Sequence, residues 1–207
     1  MRIVRLEEAS AGRYFVHLED GTVFPIGRKD SRNLELSEGT DLELQKLQWI
    51  YEELVFPRGR NYLVCLLASR DYTEKEVTDK LKKAHYPETI IEQILLYGRE
   101  RHYLDDYRYA EDYIAARKSS KSIRQLKYQL SMKGISASIL SQLDEQNDPD
   151  DLLPMVEAYW NKKKGTSYEK NGKTYQFFVR KGYDSSIIKE IIRQISKNPE
   201  NANVNTK

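Results

Sequence analysis

A helical pattern recurs three times at nearly constant spacing, and no other feature of this chain constrains its fold as much. Val77, Asp79, Lys80 and Leu81 lead through Ala84-His85-Tyr86 to Ile90, Ile91 and Ile94. Shifted by 49 residues, Leu126 and Leu130 lead through Lys133-Gly134-Ile135 to Ile139, Leu140 and Leu143. Shifted by a further 48, Thr174 and Phe178 lead through Lys181-Gly182-Tyr183 to Ile187, Ile188 and Ile191. Matched apolar positions at a fixed period describe one supersecondary unit used three times. Each unit reads as a longer first helix, a short middle helix ending at Lys-Gly, and a third helix carrying the Ile/Leu pair. Gly134 and Gly182 stand where a helix C-terminus needs positive φ, and His85 fills that place in the first copy. A three-helix unit of about 45 residues is marginal alone, so neighbours are expected to share a core. The fold class is therefore mainly α, with three tandem three-helix repeats in an elongated, curved array.

The chain before the repeats has a different character. Ile3–Leu6, Tyr14–Leu18 and Thr22–Ile26 alternate as strands, and Asp20-Gly21 between the last two predicts a type I′ hairpin. Pro25 assigns the last strand to an edge. Residues 28–39 read as a polar connection, after which Thr40 or Asp41 caps a helix with Leu44, Leu47, Ile50 and Leu54 on one face. Pro57-Arg58-Gly59-Arg60 is the expected boundary. This divides the chain into a small β-hairpin-containing module with its linking helix (1–56), repeats over 57–104, 105–147 and 148–196, and a disordered tail over 197–207. The apolar periodicity of the repeats is complete without residues 1–56, so they are expected to fold without that module.

Cap signals support the alignment. The first helix of repeat one is expected to run through Tyr62, Leu63, Leu66 and Leu67 to Arg70. Thr73–Glu76 forms a capping box with Tyr72 and Val77 as hydrophobic staple, and Ser122–Gln125 repeats the box 49 residues on. In the third copy Lys170 stands at that place after the polar segment Lys164–Ser167, so the middle helix is expected to start near Asn171. Leu104 and Asp105-Asp106 read as the apolar lead and acidic caps of the helix through Tyr113, Ile114 and Arg117.

Taken together, Tyr103-Leu104-Asp105-Asp106 with Tyr109-Ala110, then Lys133-Gly134-Ile135, then Arg180-Lys181-Gly182-Tyr183 resemble the RecX regulators of the bacterial recombinase RecA. The resemblance covers about residues 58–195, and His102 stands where such proteins commonly have Gly. It implies a protein that lies in the groove of the RecA–single-stranded-DNA filament. There it would restrain filament growth, strand exchange and the coprotease activity behind the SOS response. It also implies that basic residues on the middle and last repeats contact acidic RecA surface or the DNA backbone, leaving room for weak direct DNA binding. The protein would have no cofactor of its own, ATP and magnesium belonging to RecA. Acidic caps such as Asp105 and Asp106 would be structural.

Composition excludes several other classes. The chain has 207 residues, of which 32% are charged, and a net charge of +2. The charge is uneven: −4 over residues 1–56 and +6 over the rest. No secretory segment follows Met1, and the longest apolar run, Tyr62 to Ala68, is too short for a bilayer. A cytoplasmic monomer is expected. The single Cys65 rules out an internal disulfide and a cysteine-based zinc site, and its apolar helix face predicts a buried, inert thiol. His17, His85 and His102 have no second ligand at metal spacing. With no phosphate-binding glycine loop either, an enzyme is not expected.

The basic residues carry the functional signal. Arg117, Lys118, Lys121, Arg124, Lys127 and Lys133 fall between Tyr113 and Gly134 with no acidic residue among them. Lys162-Lys163-Lys164 and Arg180-Lys181 form a second group. Arg124 and Lys127 share a helix face beside Tyr128 and can address one partner surface. Arg117, Lys118 and Lys121 sit at the preceding helix end and loop, where cations also offset the dipole. Two further function classes stay open on these residues: a single-stranded nucleic-acid-binding module independent of RecA, and a helical-repeat scaffold for another protein.

Overall fold

In the computed structural model, residues 1–9, 12–143 and 146–197 are described. The tail expected after residue 196 lies outside them, save its first residue, Lys197, which ends the last helix. Three antiparallel strands, β1 (Ile3–Ala9), β2 (Arg13–Leu18) and β3 (Val23–Gly27), form a sheet in the order β1-β2-β3. Phe15 pairs with Pro25 across the β2–β3 ladder. Among the described residues no strand pairs beyond β3, so Pro25 sits on an edge where its missing N–H breaks no bond. The turn is not the type I′ expected from Asp-Gly. Gly21 alone has positive φ (85°), and its N–H donates to Leu18 O while Leu18 N–H donates to Thr22 O. This is a type I turn closed by a left-handed glycine. The Asp20 carboxylate holds it there by accepting from both the N–H and the hydroxyl of Thr22, each at 2.9 Å.

The link to the helices departs from expectation in three ways. Residues 28–33 form a short helix, α1 (Arg28–Asn33), instead of open connection. Helix α2 (Leu44–Ile50) starts after Glu43 with no side-chain cap, because Thr40–Leu42 is drawn off to pair with the start of β1. Leu44 is consequently outside the apolar face and 72% exposed. Third, Pro57-Arg58-Gly59-Arg60 breaks nothing. A π-helical turn, Tyr51–Val55, joins α2 directly to α3 (Phe56–Leu67). Proline at 57 cannot donate to the carbonyl four residues back and its ring crowds that carbonyl, so the widened turn relieves the clash within one continuous helix. The Phe56 N–H reaches back five residues to Tyr51 O.

Repeat one continues with α4 (Glu74–Lys83) and α5 (Glu88–Glu100), α3 ending short of Arg70. The Thr73/Glu76 capping box forms in both directions, and Tyr72 packs on the core that Val77 enters. His85 (φ 62°) ends α4, and His102 (φ 55°) ends α5 in the same left-handed conformation that glycine would adopt. The amides of Tyr103 and Leu104 then both donate to Gly98 O. Gly98 leaves room for the buried Leu104: a Cβ would lie 2.7 Å from Leu104 Cδ1 and that side chain would have to shift. Cys65 is exposed, contrary to expectation, since the buried stripe of α3 runs through Gly59 and Leu63 instead.

Residues Met1–Asp106 make one compact unit, and the next starts at Tyr107. The first unit has a single core of seventeen buried apolar residues, ten of which lie between Ile3 and Val55. The expected division at residue 57 therefore cuts through a core. In the second unit, α6 (Asp106–Ala115, after its first residue), α7 (Ile123–Met132) and α8 (Ala137–Gln142) enclose Ala110, Ile114, Leu126 and Leu130. Helices α9 (Pro149–Asn161), α10 (Ser167–Arg180) and α11 (Ser185–Lys197) enclose Trp160, Phe178, Ile188 and Ile191. Helix α10 starts at Ser167, not near Asn171, because Thr166 and Glu169 form a full capping box. The middle helix of the third repeat is therefore longer by about a turn. The added turn brings Lys170, 6% exposed, to 4.3 Å from the Trp160 ring centroid.

Two of the three middle helices share one device. The first N–H of α4, from Glu74, is accepted by Asp106 Oδ1 at 2.9 Å, and that of α7, from Ile123, by Asn147 Oδ1 at 3.0 Å. A side chain in or just before the first helix of the following repeat thus satisfies an orphan donor of a middle helix. Asp106 therefore caps α4 in addition to lying in the first turn of α6.

Two outcomes follow from this packing. Deleting residues 1–56 removes ten buried apolar side chains, each contributing about 1.5–3 kcal/mol, which exceeds the whole stability of a typical domain. Circular dichroism of the truncated chain should show α3–α5 melting without cooperativity; a retained cooperative transition for them would contradict the shared core. The second concerns Asp106, whose pKa is raised by burial and by the carboxylates of Glu74, Asp105 and Glu76, against the lowering effect of the Glu74 N–H. A carboxyl raised in the folded state favours folding when protonated, and that advantage is lost as pH rises through its folded pKa. Asp106→Asn keeps the acceptor and removes the charge. It should melt higher than the parent at pH 7 and equal to it at acid pH, whereas Asp106→Ala, lacking the cap, should lose about 1 kcal/mol.

Candidate functional site

The basic residues are placed by the second unit, where α7 and the C-terminal end of α10 face one another. Ser122 joins them. It is fully buried, its Oγ accepts from Gln125 N–H at 3.2 Å as the α7 cap, and it donates to Lys181 O at 2.9 Å. Only half the capping box forms here, the Ser122 hydroxyl serving α7 and the end of α10 together. Gly182 makes this approach possible. At φ 85° it ends α10, and a Cβ on it would meet Ser122 Oγ at 3.3 Å and Arg124 Cδ at 3.4 Å. Asn147 completes the support, donating to Lys118 O and Lys121 O at 2.8 and 2.9 Å while accepting from Ile123.

The result is an open groove of about 730 Å³ whose walls carry Lys121, Arg124, Arg180 and Lys181. Tyr128, 68% exposed, stands on the α7 wall with Gln125 and Gln129 below it. Among the described residues no carboxylate lines the groove. Arg124 and Arg180 are exposed and make no ion pair among the described residues. Lys121 donates to Gln129 Oε1 at 3.1 Å, and Tyr113 OH donates to the same oxygen at 2.9 Å. Four cations facing one cavity repel one another, so an anionic partner surface is the natural complement.

The other basic candidates lie elsewhere. Lys127, expected beside Arg124, turns away and donates to Leu143 O at the end of α8, where a cation offsets the dipole. Arg117 stacks on Tyr113, 4.0 Å from the ring centroid. Lys118 lies 2.8 Å from the Asp151 carboxylate in the first turn of α9. Lys133 is half-buried, 5.8 Å from the Tyr109 ring centroid. Lys163 covers Tyr159 at 4.1 Å, and the Lys164 carbonyl accepts from Lys173. Lys162, at the end of α9, edges a separate apolar slot. Sequence spacing identified the cations, but their side-chain directions depend on which carbonyl, ring or carboxylate lies within reach. The roles of Ser122 and Asn147 across repeats were missed. The polar Asn147 directly before the Asp148-Pro149 helix start was the available signal.

Among the described residues no helix is long and apolar enough to cross a membrane, and no group of three or more His, Cys, Asp or Glu is placed to hold a metal ion. Comparison with known proteins adds the family. The models for the first, second and third three-helix domains of RecX match residues 60–97, 105–142 and 150–192. The Regulatory protein RecX of Clostridium botulinum (strain Eklund 17B / Type B) is 30% identical over 202 residues, covering 93% of this chain and 95% of that protein. That of Clostridium perfringens (strain 13 / Type A) is 25% identical, covering 94% and 95%. The crystal structure of RecX from Lactobacillus salivarius superimposes with a TM-score of 0.62 at 25% identity, over 68% of this chain and 96% of that one. With three matched domains in the expected order and a relative 30% identical over nearly the whole chain, this chain belongs to the RecX family of regulatory proteins.

Proposed function

We propose that this protein regulates RecA, mainly as a negative modulator, by binding the RecA–single-stranded-DNA filament through the groove between α7 and the end of α10. The observation that carries this reading is the convergence of Lys121 and Arg124 from repeat two with Arg180 and Lys181 from repeat three in one groove. Occupying the filament would limit its extension, strand exchange and coprotease activity. The protein would act by binding and not by catalysis, as a cytoplasmic monomer, with nucleotide and magnesium supplied by RecA.

Arg117, Lys118, Lys127 and Lys133 play a structural part in this reading, since each is engaged within the fold. Lys163 and Lys164 are set aside from the contact as well. The exposed Tyr128 beside four cations also suits a stacked nucleobase, which favours direct single-strand binding as the second reading.

Changing Lys121, Arg124, Arg180 and Lys181 together to Ala should weaken filament binding and relieve the inhibition of RecA-driven strand exchange. The melting curve should change little, because exposed ion pairs and long surface side chains contribute only about 0–1 kcal/mol each. The pair Arg117→Ala with Lys127→Ala should leave filament binding near the parent level. If RecA is the target, binding to naked single strands should be little affected by the fourfold change. If phosphates are the target, that binding falls in parallel and its salt slope shrinks by about 0.7 per lost contact. Undiminished inhibition by the fourfold variant would contradict the proposal.

A further inference from the structure

The basic groove does not end at Lys181. Beside it lies a smaller cavity of about 310 Å³, a separate slot that adjoins the groove at Ser120 and Lys181, which line both. The smaller cavity differs in chemistry. Its walls are Met155, Ala158, Tyr159 and Phe177, with Phe178 and Tyr183 as a buried floor. Tyr159 and Phe177 stack at 4.1 Å between centroids, and Phe178 meets Tyr183 edge-on at 5.4 Å. The Tyr183 hydroxyl points to Met155 Sδ at 4.0 Å, and burial pushes its pKa up to about 12. Lys162 and Lys181 stand on the rim, Lys181 lying 4.8 Å from the Phe177 ring centroid.

We infer that groove and slot together receive an acidic peptide segment of a partner protein, with one aromatic or large aliphatic side chain seated in the slot and its carboxylates along the cations. Charge complementarity fixes the sign of the segment: the groove and rim present Lys162 as well as the four groove cations, and among the described residues no carboxylate lines either cavity. The slot distinguishes peptide from nucleic acid. A nucleobase carries several donors and acceptors on its edge, and burying them without partners is costly, while the slot offers few polar atoms to meet them. An apolar side chain brings none. Met155 gives the wall the adaptability to fit more than one such side chain. This inference rests on the reading that the groove meets a partner protein, and it adds the chemistry of the segment that is met.

The test uses the full chain and a short fluorescein-labelled peptide of Asp and Glu with one central Phe, read by fluorescence anisotropy. The same peptide with Ala for Phe should bind roughly tenfold more weakly, as expected for one side chain in an apolar pocket. Ala158 is exposed on α9, so Ala158→Phe fills the slot from its rim without entering the core. This variant should erase the preference for the Phe peptide while binding the Ala peptide as the parent does. Lys162→Glu, also at an exposed position, should weaken both acidic peptides by about threefold or more. Equal binding of the two peptides by the parent, or a Phe preference that survives Ala158→Phe, would overturn the inference. So would Ala158→Phe weakening a labelled oligothymidylate and leaving the peptides unaffected, which would assign the slot to nucleic acid. None of these measurements contains RecA, so they can fail while strand-exchange inhibition through the groove stands, and the reverse.

Discussion

The groove exists because one buried hydroxyl serves two helices. Ser122 caps α7 by accepting from Gln125 and donates to Lys181 O at the end of α10. Both are groups that a helix terminus leaves without an internal partner. Because Ser122 has 0% exposure, water cannot take over either bond, and leaving a buried polar group unmatched costs about 1–3 kcal/mol. The interaction therefore holds two repeats in one register. The cations of α7 and those at the end of α10 share a cavity only in that register.

The same economy appears wherever one repeat meets the start of the next. Asp106 takes the first N–H of α4, and Asn147 takes that of α7. These side chains replace the solvent that an isolated three-helix unit would need at its helix starts. The second and third repeats nonetheless enclose separate cores, around Leu126 and Leu130 and around Phe178 and Ile188, so the expected shared core does not form between them. The first repeat goes further and shares its core with the sheet, with Val55, Leu63 and Val77 in the same cluster as Val16 and Phe24.

Most of the helical plan was legible in the sequence, since period and caps are local signals. Gly134 at φ 93° and Gly182 at φ 85° end their helices as the Lys-Gly positions imply, and the Thr73 box forms as read. Local signals failed where a second element competed. Asp-Gly suggested a two-residue turn, but the Asp20 carboxylate bonds Thr22 and stabilises a longer one. The Pro57 stretch looked like a linker, but a π turn absorbs the proline within the helix. For the site, the sequence identified the cations without showing which of them converge. Lys127 and Arg124 are neighbours on α7, yet one reaches the end of α8 and the other enters the groove. That choice depends on carbonyls distant in sequence, which no spacing rule contains. The apolar slot was illegible for a related reason: Phe178 and Tyr183 read only as matched positions of the repeat, and nothing local marked Tyr159 and Phe177 as lining a cavity with them.

The most direct test of this account is amide hydrogen exchange on Ser122→Ala. Gln125 N–H loses its acceptor, and Gly182 and Tyr183, whose amides close the end of α10 onto Val179 O and Phe178 O, lose the tie that holds that end against α7. The account predicts faster exchange at all three positions together, with the rest of α10 and α11 unchanged. Faster exchange at Gln125 alone, with Gly182 and Tyr183 protected as before, would mean that the repeats are held together without Ser122 and that the groove has another origin.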